Sequence, residues 1–262
     1  MLDWIARHPA CGIAVMFLAF AGVELARGMW RSPNATKEDA PLESAITLLL
    51  VAGIYPGVLA FVNFAAHAYT PTLEGALAHW PWWAMLLALL VADDLTQYLW
   101  HRASHTPLLW PLHRAHHSAP HMGIRVVYRN NAFYYALMPG LWISAYSVFL
   151  GFGLVYPWYV MAKQLVIFGA HSNLRWDAVL YRNRWLHPLA WIVERTISTP
   201  ATHFAHHALS QDDGIGHYKG NYGNLLFFWD VLFGTARITR QYPPRVGLRD
   251  DLDHGPERWW VQ

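Results

Sequence analysis

Apolar segments long enough to cross a lipid bilayer occupy most of the first 170 residues and constrain the fold more than any other feature. Hydrophobic residues make up 55% of the 262 residues and charged residues only 14%, whereas about 25% of an average soluble domain is charged. A bilayer core about 30 Å thick needs roughly 20 helical residues. Four regions approach or exceed that length, at 12–25, 44–69, 81–100 and 132–170. They predict an all-α integral membrane bundle of about four transmembrane helices.

The four regions differ in the regularity of the span that they predict. Residues 12–25 are barely long enough, and Ala19-Phe20-Ala21 imitates a signal-peptidase site, so a cleaved signal peptide is the alternative there. Glycines and a proline at 53–57 predict a kink in the second region. Asp93 and Asp94 lie inside the third region, and Gly151-Phe152-Gly153 in the middle of the fourth predicts a helical hairpin.

Loop charges predict the orientation of the bundle, because positive residues mark the cytoplasmic side of a membrane protein. The loop at 28–43 carries Arg31 and Lys37, the loop at 70–80 carries no lysine or arginine, and the segment after the third span is rich in arginine. These charges agree if the third span ends in the cytoplasm at His101. We therefore predict transmembrane helices at 1–100, a cytoplasmic segment at 101–131, a membrane hairpin at 132–171 and a cytoplasmic cap at 172–262.

The remaining composition excludes several classes of function. A net charge of +2, dispersed along the chain, argues against a nucleic-acid partner. Cys11 is the only cysteine, so there is no intramolecular disulfide and no thiolate metal cluster. The sequence carries no flavin, haem or NAD motif. A redox reaction would therefore need electrons from a separate reductase, for which the arginines of the cap offer a docking site.

Histidine is the outlier in the composition, with 16 residues that are unevenly spread. Residues three and four apart share one face of a helix, so each of three clusters presents its imidazoles in one direction. Imidazole suits iron, zinc, copper or nickel, and eight clustered imidazoles exceed what one metal ion uses. The pattern predicts a dinuclear metal site beside the cytoplasmic end of the third span. The clusters are His101 and His105; His113, His116 and His117; and His203, His206 and His207.

A metal site at a membrane surface indicates a lipid substrate. A soluble substrate would not need several apolar spans, whereas a lipid can pass from the bilayer into the site without contacting water. Histidine-rich coordination without thiolates suits oxygen activation. Two alternatives remain open, namely hydrolysis by a zinc-bound hydroxide and a metal-binding membrane protein without catalytic activity.

The motifs around the histidines resemble those of the fatty acid hydroxylase superfamily, which includes sterol desaturases, fatty acid 2-hydroxylases and alkylglycerol monooxygenase. The resemblance covers roughly residues 81–236. His171 follows the predicted hairpin, where the family places an isolated metal-ligating histidine. The matching stretches are Asp94 to His105 for the first histidine box, Leu109 to Ser118 for the second, Glu194, Thr199-Pro200 and His203 to His207 for the third, and Asn221-Tyr222-Gly223 with Trp229-Asp230 and Leu232 to Thr235 for the closing signature.

The resemblance implies a di-iron centre at the cytoplasmic face of an integral membrane protein, in a bacterial inner membrane or the endoplasmic reticulum. It implies O2 as co-substrate and an external electron donor, and it implies hydroxylation or desaturation of a C–H bond in a sterol-like, fatty acyl or ether lipid. The implied metal ligands are His101, His105, His113, His116, His117, His171, His203, His206 and His207.

Two positions depart from the family pattern. Arg175 stands four residues after His171, where fatty acid 2-hydroxylases have another histidine, and this favours the sterol desaturase or alkylglycerol monooxygenase branch. Phe204 stands where many relatives have arginine, which alters the local charge.

Four further residues are candidates for supporting the metal ligands. Asp94 shares a helix face with His101 and would accept a hydrogen bond from a ligand imidazole; the alternative is a polar residue that faces the bundle interior. Glu194 is expected near the ligands or as an ion-pair partner of a cap arginine. His187 and His217 are candidates for an extra ligand, with a surface position as the alternative.

Overall fold

The computed structural model describes residues 8–31, 36–37 and 39–248, so the predicted end of the cap at 249–262 lies outside the described residues. Within them the chain is helical and contains no strand, only the isolated bridges Ile197–Leu226 and Ala208–Val246. The predicted all-α class is therefore confirmed for this part of the chain. The helices are α1 (Pro9–Ala26), α2 (Asp39–Tyr69), α3 (82–104), α4 (Trp110–His117), α5 (Ala132–Ala136), α6 (Pro139–Phe149), α7 (Tyr156–His171), α8 (Ala178–Arg182), α9 (His187–Thr196), α10 (Pro200–His206) and α11 (Phe228–Phe233).

Helices α1 and α2 are the two described helices that are long and apolar enough to cross a membrane. Their mean hydropathies are 1.9 and 2.3, and most of their side chains lie on the outside of the protein. A core helix of a soluble protein would be buried instead. Helix α3 carries the two aspartates Asp93 and Asp94. Helices α6 and α7 have 11 and 16 residues, fewer than the roughly 20 that a perpendicular span needs. The third and fourth spans therefore remain predictions.

Two helices contain a π-helical turn, a common site of local distortion. In α2 the turn is Leu50–Ile54, which ends two residues before Pro56 and lies at the site where the sequence predicts a kink. In α3 it is Leu90–Leu95, and both aspartates of this turn are buried. Asp93 accepts hydrogen bonds from Lys163 Nζ at 2.6 Å and from Tyr159 Oη at 2.8 Å, and so joins α3 to α7.

The two helices of the predicted hairpin, α6 and α7, are joined by a turn at Gly151. Gly151 has φ +116°, and a Cβ there would lie 2.6 Å from the backbone nitrogen of Ala78, so the turn requires glycine. The α2–α3 loop binds this turn, because Gly75 N and Leu77 N donate to the carbonyls of Phe149 and Leu150. The helices then pack on different partners, α6 mainly on α2 and α3, and α7 on α1 and α10.

The opposite end of the bundle is held together by buried charges. Arg129 pairs with Asp39 at 2.5 Å and Glu43 at 3.2 Å, at the start of α2, and its Nε donates to the carbonyl of Ala115 in α4. The carboxylate of Glu24, near the end of α1, accepts hydrogen bonds from three segments. The donors are Ile124 N (3.1 Å), Ser172 Oγ (2.7 Å), Asn173 N (3.0 Å) and Trp30 Nε1 (3.3 Å). Helix α1 is therefore an integral part of this end of the protein.

We predict that Glu24→Ala lowers the free energy of unfolding by about 3 kcal/mol, because several buried donors lose their acceptor at once. Thermal unfolding in detergent measures the change. Glu74→Ala is the matched control, since the Glu74 side chain is 63% exposed and contacts only His67 among the described ion pairs. Equal melting temperatures for both variants would show that the hydrogen bonds of Glu24 do not anchor α1 to this end of the protein.

Candidate metal centre

The nine histidines implied as ligands converge into two adjacent groups. The ligand atoms of each group lie within 4.8 Å of one another, and no carboxylate or thiolate belongs to either group within the described part of the chain. Eight of the nine residues are buried and His105 is partly buried. The first group is His101, His105, His113, His117 and His206, and the second is His116, His171, His203 and His207.

The sequence clusters do not each form one group, because α4 and α10 lie between the two groups. His113 and His117, four residues apart on α4, belong to the first group, whereas His116 points to the second. Helix α10 mirrors this division: His203 and His207 belong to the second group and His206 to the first. Position i+4 is rotated by only about 40° from position i around the helix axis. Position i+3 is rotated from position i in the opposite sense, so its side chain diverges from that of position i+4.

The remaining ligands come from the ends of long helices. His101 lies in the last turn of α3 and His105 directly follows that helix, while His171 is the last residue of α7. Helix α3 contacts α4, and α7 contacts α10. The end of α3 therefore completes the first group, and the end of α7 completes the second.

Several ring nitrogens approach each other at the distances expected of ligands to one ion. In the first group His101 Nε2 lies 3.0 Å from His206 Nε2, and His113 Nε2 lies 3.2 Å from His117 Nε2. In the second group His171 Nε2 lies 2.9 Å from His203 Nε2 and 3.4 Å from His116 Nε2. A metal–nitrogen bond of about 2.1 Å places neighbouring ligand atoms about 3 Å apart. The residues present therefore fit two metal ions.

The opposite nitrogens of five rings are held by oxygen acceptors. His101 Nδ1 donates to the carbonyl of Tyr222, and His113 Nδ1 to the side-chain oxygen of Asn130. Because these oxygens only accept, Nδ1 carries the proton and Nε2 keeps its lone pair for a metal. The five pairs are His101–Tyr222 (2.7 Å), His113–Asn130 (2.8 Å), His116–Val126 (3.1 Å), His171–Ile167 (2.8 Å) and His206–Gly220 (2.7 Å).

Burial keeps the imidazoles of the three histidine boxes neutral. Desolvation lowers the pKa of His101 to about 4 despite its hydrogen bond to Tyr222. Burial, and in most cases repulsion by neighbouring imidazoles, also holds the pKa values of the other box histidines well below the usual range. This applies to His105, His113, His116, His117, His203, His206 and His207. Neutral imidazole is the form that binds metal.

Among the nine histidines, the Nε2 atoms of His105 and His207 are buried without a hydrogen-bond partner in the described part of the chain. Buried polar atoms almost always have a partner. His105 belongs to the first group and His207 to the second. A metal ion in each group would give these nitrogens the partner that they lack.

The closing signature fixes the position of the Tyr222 and Gly220 carbonyls, which orient His101 and His206. Asp230 is fully buried and accepts hydrogen bonds from Tyr222 N (2.8 Å) and Gly223 N (2.6 Å). Asn221 adopts φ +57°, and its Nδ2 donates to the carbonyl of Thr202 in α10. The resemblance identifies this signature, but the structure shows its purpose.

Asn130 was not among the predicted site residues, and a polar Asn130-Asn131 pair before an apolar run is the signal that would have drawn attention to it.

Asp94 and Glu194, two of the residues considered as supports for the metal ligands, contact other residues instead. Asp94 accepts hydrogen bonds from Trp229 Nε1 (2.8 Å) and Leu226 N (3.2 Å), so the expected bond to a ligand imidazole is absent from its described contacts. The orienting role belongs instead to the carbonyls and Asn130, because Asp94 lies two turns before His101 on α3. Glu194 is an ion-pair partner of Arg195 and Arg240, the alternative considered for it, and does not support a ligand.

Neither His187 nor His217 belongs to a metal group. His187 is exposed, and its Nε2 lies 3.0 Å from the carbonyl oxygen of Tyr181. His217 is half-buried, and its Nε2 lies 3.1 Å from the carbonyl oxygen of Thr235. His217 therefore fastens the segment that follows α11 rather than providing a ligand atom to either group.

The two positions that depart from the family pattern are neighbours in space. The Arg175 guanidinium lies 5.8 Å from the ring centre of Phe204 and 4.6 Å from that of Tyr242. Arg175 also adopts φ +46°, in the left-handed region. The Arg175 cation therefore lies close to two aromatic rings, and one of them belongs to the other departing position.

Comparisons with known proteins agree with this geometry. Alkylglycerol monooxygenase of Xenopus tropicalis is 26% identical over 167 residues, which cover 60% of this chain and 30% of that protein. The enzymes of the same name from Danio rerio and Homo sapiens are 28% and 27% identical over the same coverage. The chain therefore spans 30% of the length of these curated relatives. No solved structure is a significant match.

A family model described as fatty acid hydroxylase matches residues 85–235. These residues run from the first part of α3 to the end of the closing signature and include all nine convergent histidines. The match confirms the resemblance inferred from the motifs. Because the model covers more than half of the chain, the protein belongs to the fatty acid hydroxylase family.

Proposed function

We propose that this protein is a membrane-bound di-iron oxidase that hydroxylates or desaturates a C–H bond of a lipid, using O2 and electrons from a separate reductase. One observation carries the proposal: two adjacent, buried groups consist only of imidazoles. Five of the nine rings are held by oxygen acceptors that leave Nε2 free. Membership of the fatty acid hydroxylase family supports the same reaction class.

Two iron ions in these groups would supply the reduction of O2 and the oxidising power that attack on an unactivated C–H bond requires. The protein keeps the ligand nitrogens unprotonated by burial and fixes the ring orientations through backbone carbonyls. It also shields the centre from water, since His101, His113, His117, His203 and His206 are at most 2% exposed. Exclusion of water protects reactive species from side reactions.

The proposed membrane arrangement follows the predicted one, with α3 and the α6–α7 pair embedded beside α1 and α2. The end of α1 and the start of α2 lie at the metal-bearing end of the bundle, where Glu24 and Arg129 connect them to the ligand segments. Arg102, Arg114, Arg125 and Arg129 mark this end as cytoplasmic. Residues 101–131 and the cap from 172 onward would therefore face the cytoplasm, in a bacterial inner membrane or the endoplasmic reticulum.

The substrate is proposed to be a sterol-like, fatty acyl or ether lipid. The relatives named alkylglycerol monooxygenase favour the ether lipid. Lipid profiling of cells with and without the gene, by mass spectrometry, tests the proposal. A product that gains one oxygen atom indicates hydroxylation, and one that loses two hydrogen atoms indicates desaturation. An unchanged lipid profile together with stoichiometric zinc in the purified protein would favour a hydrolase instead.

We predict that His171→Ala binds less iron and loses turnover, because the second group has only four imidazoles. Iron content per chain and lipid product formation measure the effect. His187→Ala is the matched control, since His187 is exposed and belongs to neither group. If His171→Ala keeps the iron ratio and the rate of the control, His171 is not a ligand.

We predict that Asn130→Ala weakens metal binding roughly 10- to 100-fold, because His113 loses the acceptor that fixes its ring. Competition with a chelator measures the affinity. The neighbouring variant Asn131→Ala removes only a helix cap, the hydrogen bond from Phe133 N to the Asn131 side chain, and should leave metal affinity unchanged. Equal affinities for the two variants would mean that Asn130 does not support His113.

A further inference from the structure

The cap carries an apolar surface that the described part of the chain leaves uncovered. It comprises α9 with the preceding turn, and the neighbouring helix α11, which contacts α9. The side chains concerned are large and apolar, and each of them is at least 40% exposed. They are Trp185 (77%), Leu189, Trp191, Ile192, Phe228, Val231, Leu232 (58%) and Phe233. A contiguous apolar surface on a folded protein marks a site of contact with a protein or a membrane.

Helix α11 continues this surface onto α3. The Phe233 ring stacks on that of Tyr98 with centroids 5.4 Å apart, and Trp229 Nε1 donates to Asp94. Asp94 precedes His101 by seven residues, which corresponds to about 10 Å along the helix. Helix α11 therefore packs against the part of α3 that lies on the apolar side of the metal ligands. Val91 and Leu99 of α3 are themselves about half exposed.

The backbone beside α11 is irregular, and several of its N–H groups are hydrogen bonded within the protein, as apolar surroundings require. Leu226 N donates to Asp94, and Ser198 N donates to the carbonyl of Leu225. Asp230 accepts from Tyr222 N and Gly223 N. The segment can therefore lie at membrane depth without leaving these groups unpaired.

The accessible charges of the segment that contains α9 have one sign. Between residues 176 and 199 the acidic residues are Asp177 and Glu194, and both are buried and hydrogen bonded within the protein. The accessible charged side chains of this segment are Arg182, Arg184 and Arg195. This surface is complementary to the anionic head groups of a cytoplasmic leaflet.

Two of these arginines lie against exposed tryptophans. The Arg184 guanidinium is 4.9 Å from the Trp185 ring centre, and that of Arg195 is 4.7 Å from the Trp191 ring centre. Tryptophan prefers the boundary between head groups and acyl chains, and arginine reaches from there into the head-group layer. Such pairs on an amphipathic helix are typical of a helix that lies in the membrane interface.

We infer that α9 and α11 lie in the cytoplasmic leaflet of the bilayer, with their exposed apolar side chains among the acyl chains and Arg182, Arg184 and Arg195 at anionic head groups. The inference rests on the proposed function for the orientation of the bundle. The cap is then partly embedded in the bilayer rather than surrounded by water. Leaflet lipid reaches Phe233, which stacks on Tyr98 three residues before His101, so a lipid substrate can approach the metal centre without crossing water.

Site-directed spin labelling in nanodiscs of phosphatidylcholine and phosphatidylglycerol tests the inference. Cys11 is the only cysteine, so Cys11→Ser provides the background for Ile192→Cys and Leu232→Cys. Leu48→Cys on α2 is the lipid reference, and Lys219→Cys in the cap is the water reference; both native side chains are exposed. Relaxation by O2, which concentrates in lipid, is compared with relaxation by a water-soluble nickel chelate.

We expect labels at 192 and 232 to resemble the label at 48, with an O2-to-nickel accessibility ratio several-fold above that at 219. Labels at 192 and 232 that resemble 219, or that are protected from both reagents by a protein partner, would overturn the inference. The proposed function would then stand as long as the label at 48 reports lipid. A label at 48 that reports water would instead overturn the membrane arrangement on which both proposals rest.

Discussion

The packing of nine neutral imidazoles into one buried layer is the constraint on which the rest of the structure depends. Their nitrogen atoms approach to about 3 Å, and lone pairs at that distance repel each other unless a proton or a metal ion lies between them. Each ring must therefore be oriented from outside. The protein achieves this mainly with backbone carbonyls, which have to be held rigidly themselves.

Buried carboxylates provide that rigidity at four places. Glu24 binds Ile124 N and Asn173 N, next to segments that carry Val126 and His171. Asp177 accepts from Ala201 N at the start of α10. Asp230 binds Tyr222 N and Gly223 N, and Asp94 fixes Leu226 and Trp229 in the same region. Each carboxylate replaces water as the acceptor for backbone N–H groups of an irregular segment or a helix start, and each of these regions contributes a ligand or orients one.

The same arrangement explains how one end of the helical bundle can support the proposed metal centre. Helices α3 and α7 deliver ligands at their ends, while the carboxylate of α1 and the acidic residues at the start of α2 hold the connecting segments. The apolar surface of α9 and α11 adjoins α3 beside this layer. The surface proposed to face lipid and the proposed metal centre thus occupy neighbouring layers of one region.

The sequence alone determined the helical class, the identity of the converging histidines and the family, because apolar length and the spacing of three and four residues are local properties of a helix. It could not divide the nine histidines between the two groups. That division depends on how α4 and α10 are rotated against α3 and α7, which packing decides; His116 and His206 therefore join groups that their sequence neighbours do not. Tertiary structure also decided the partners of polar side chains. Asp94 shares a helix face with His101 but bonds to Trp229, and Glu194 pairs with Arg240 from a distant segment. Hydrogen-bond partners far apart in the chain leave no periodic signal, so only the folded protein reveals them.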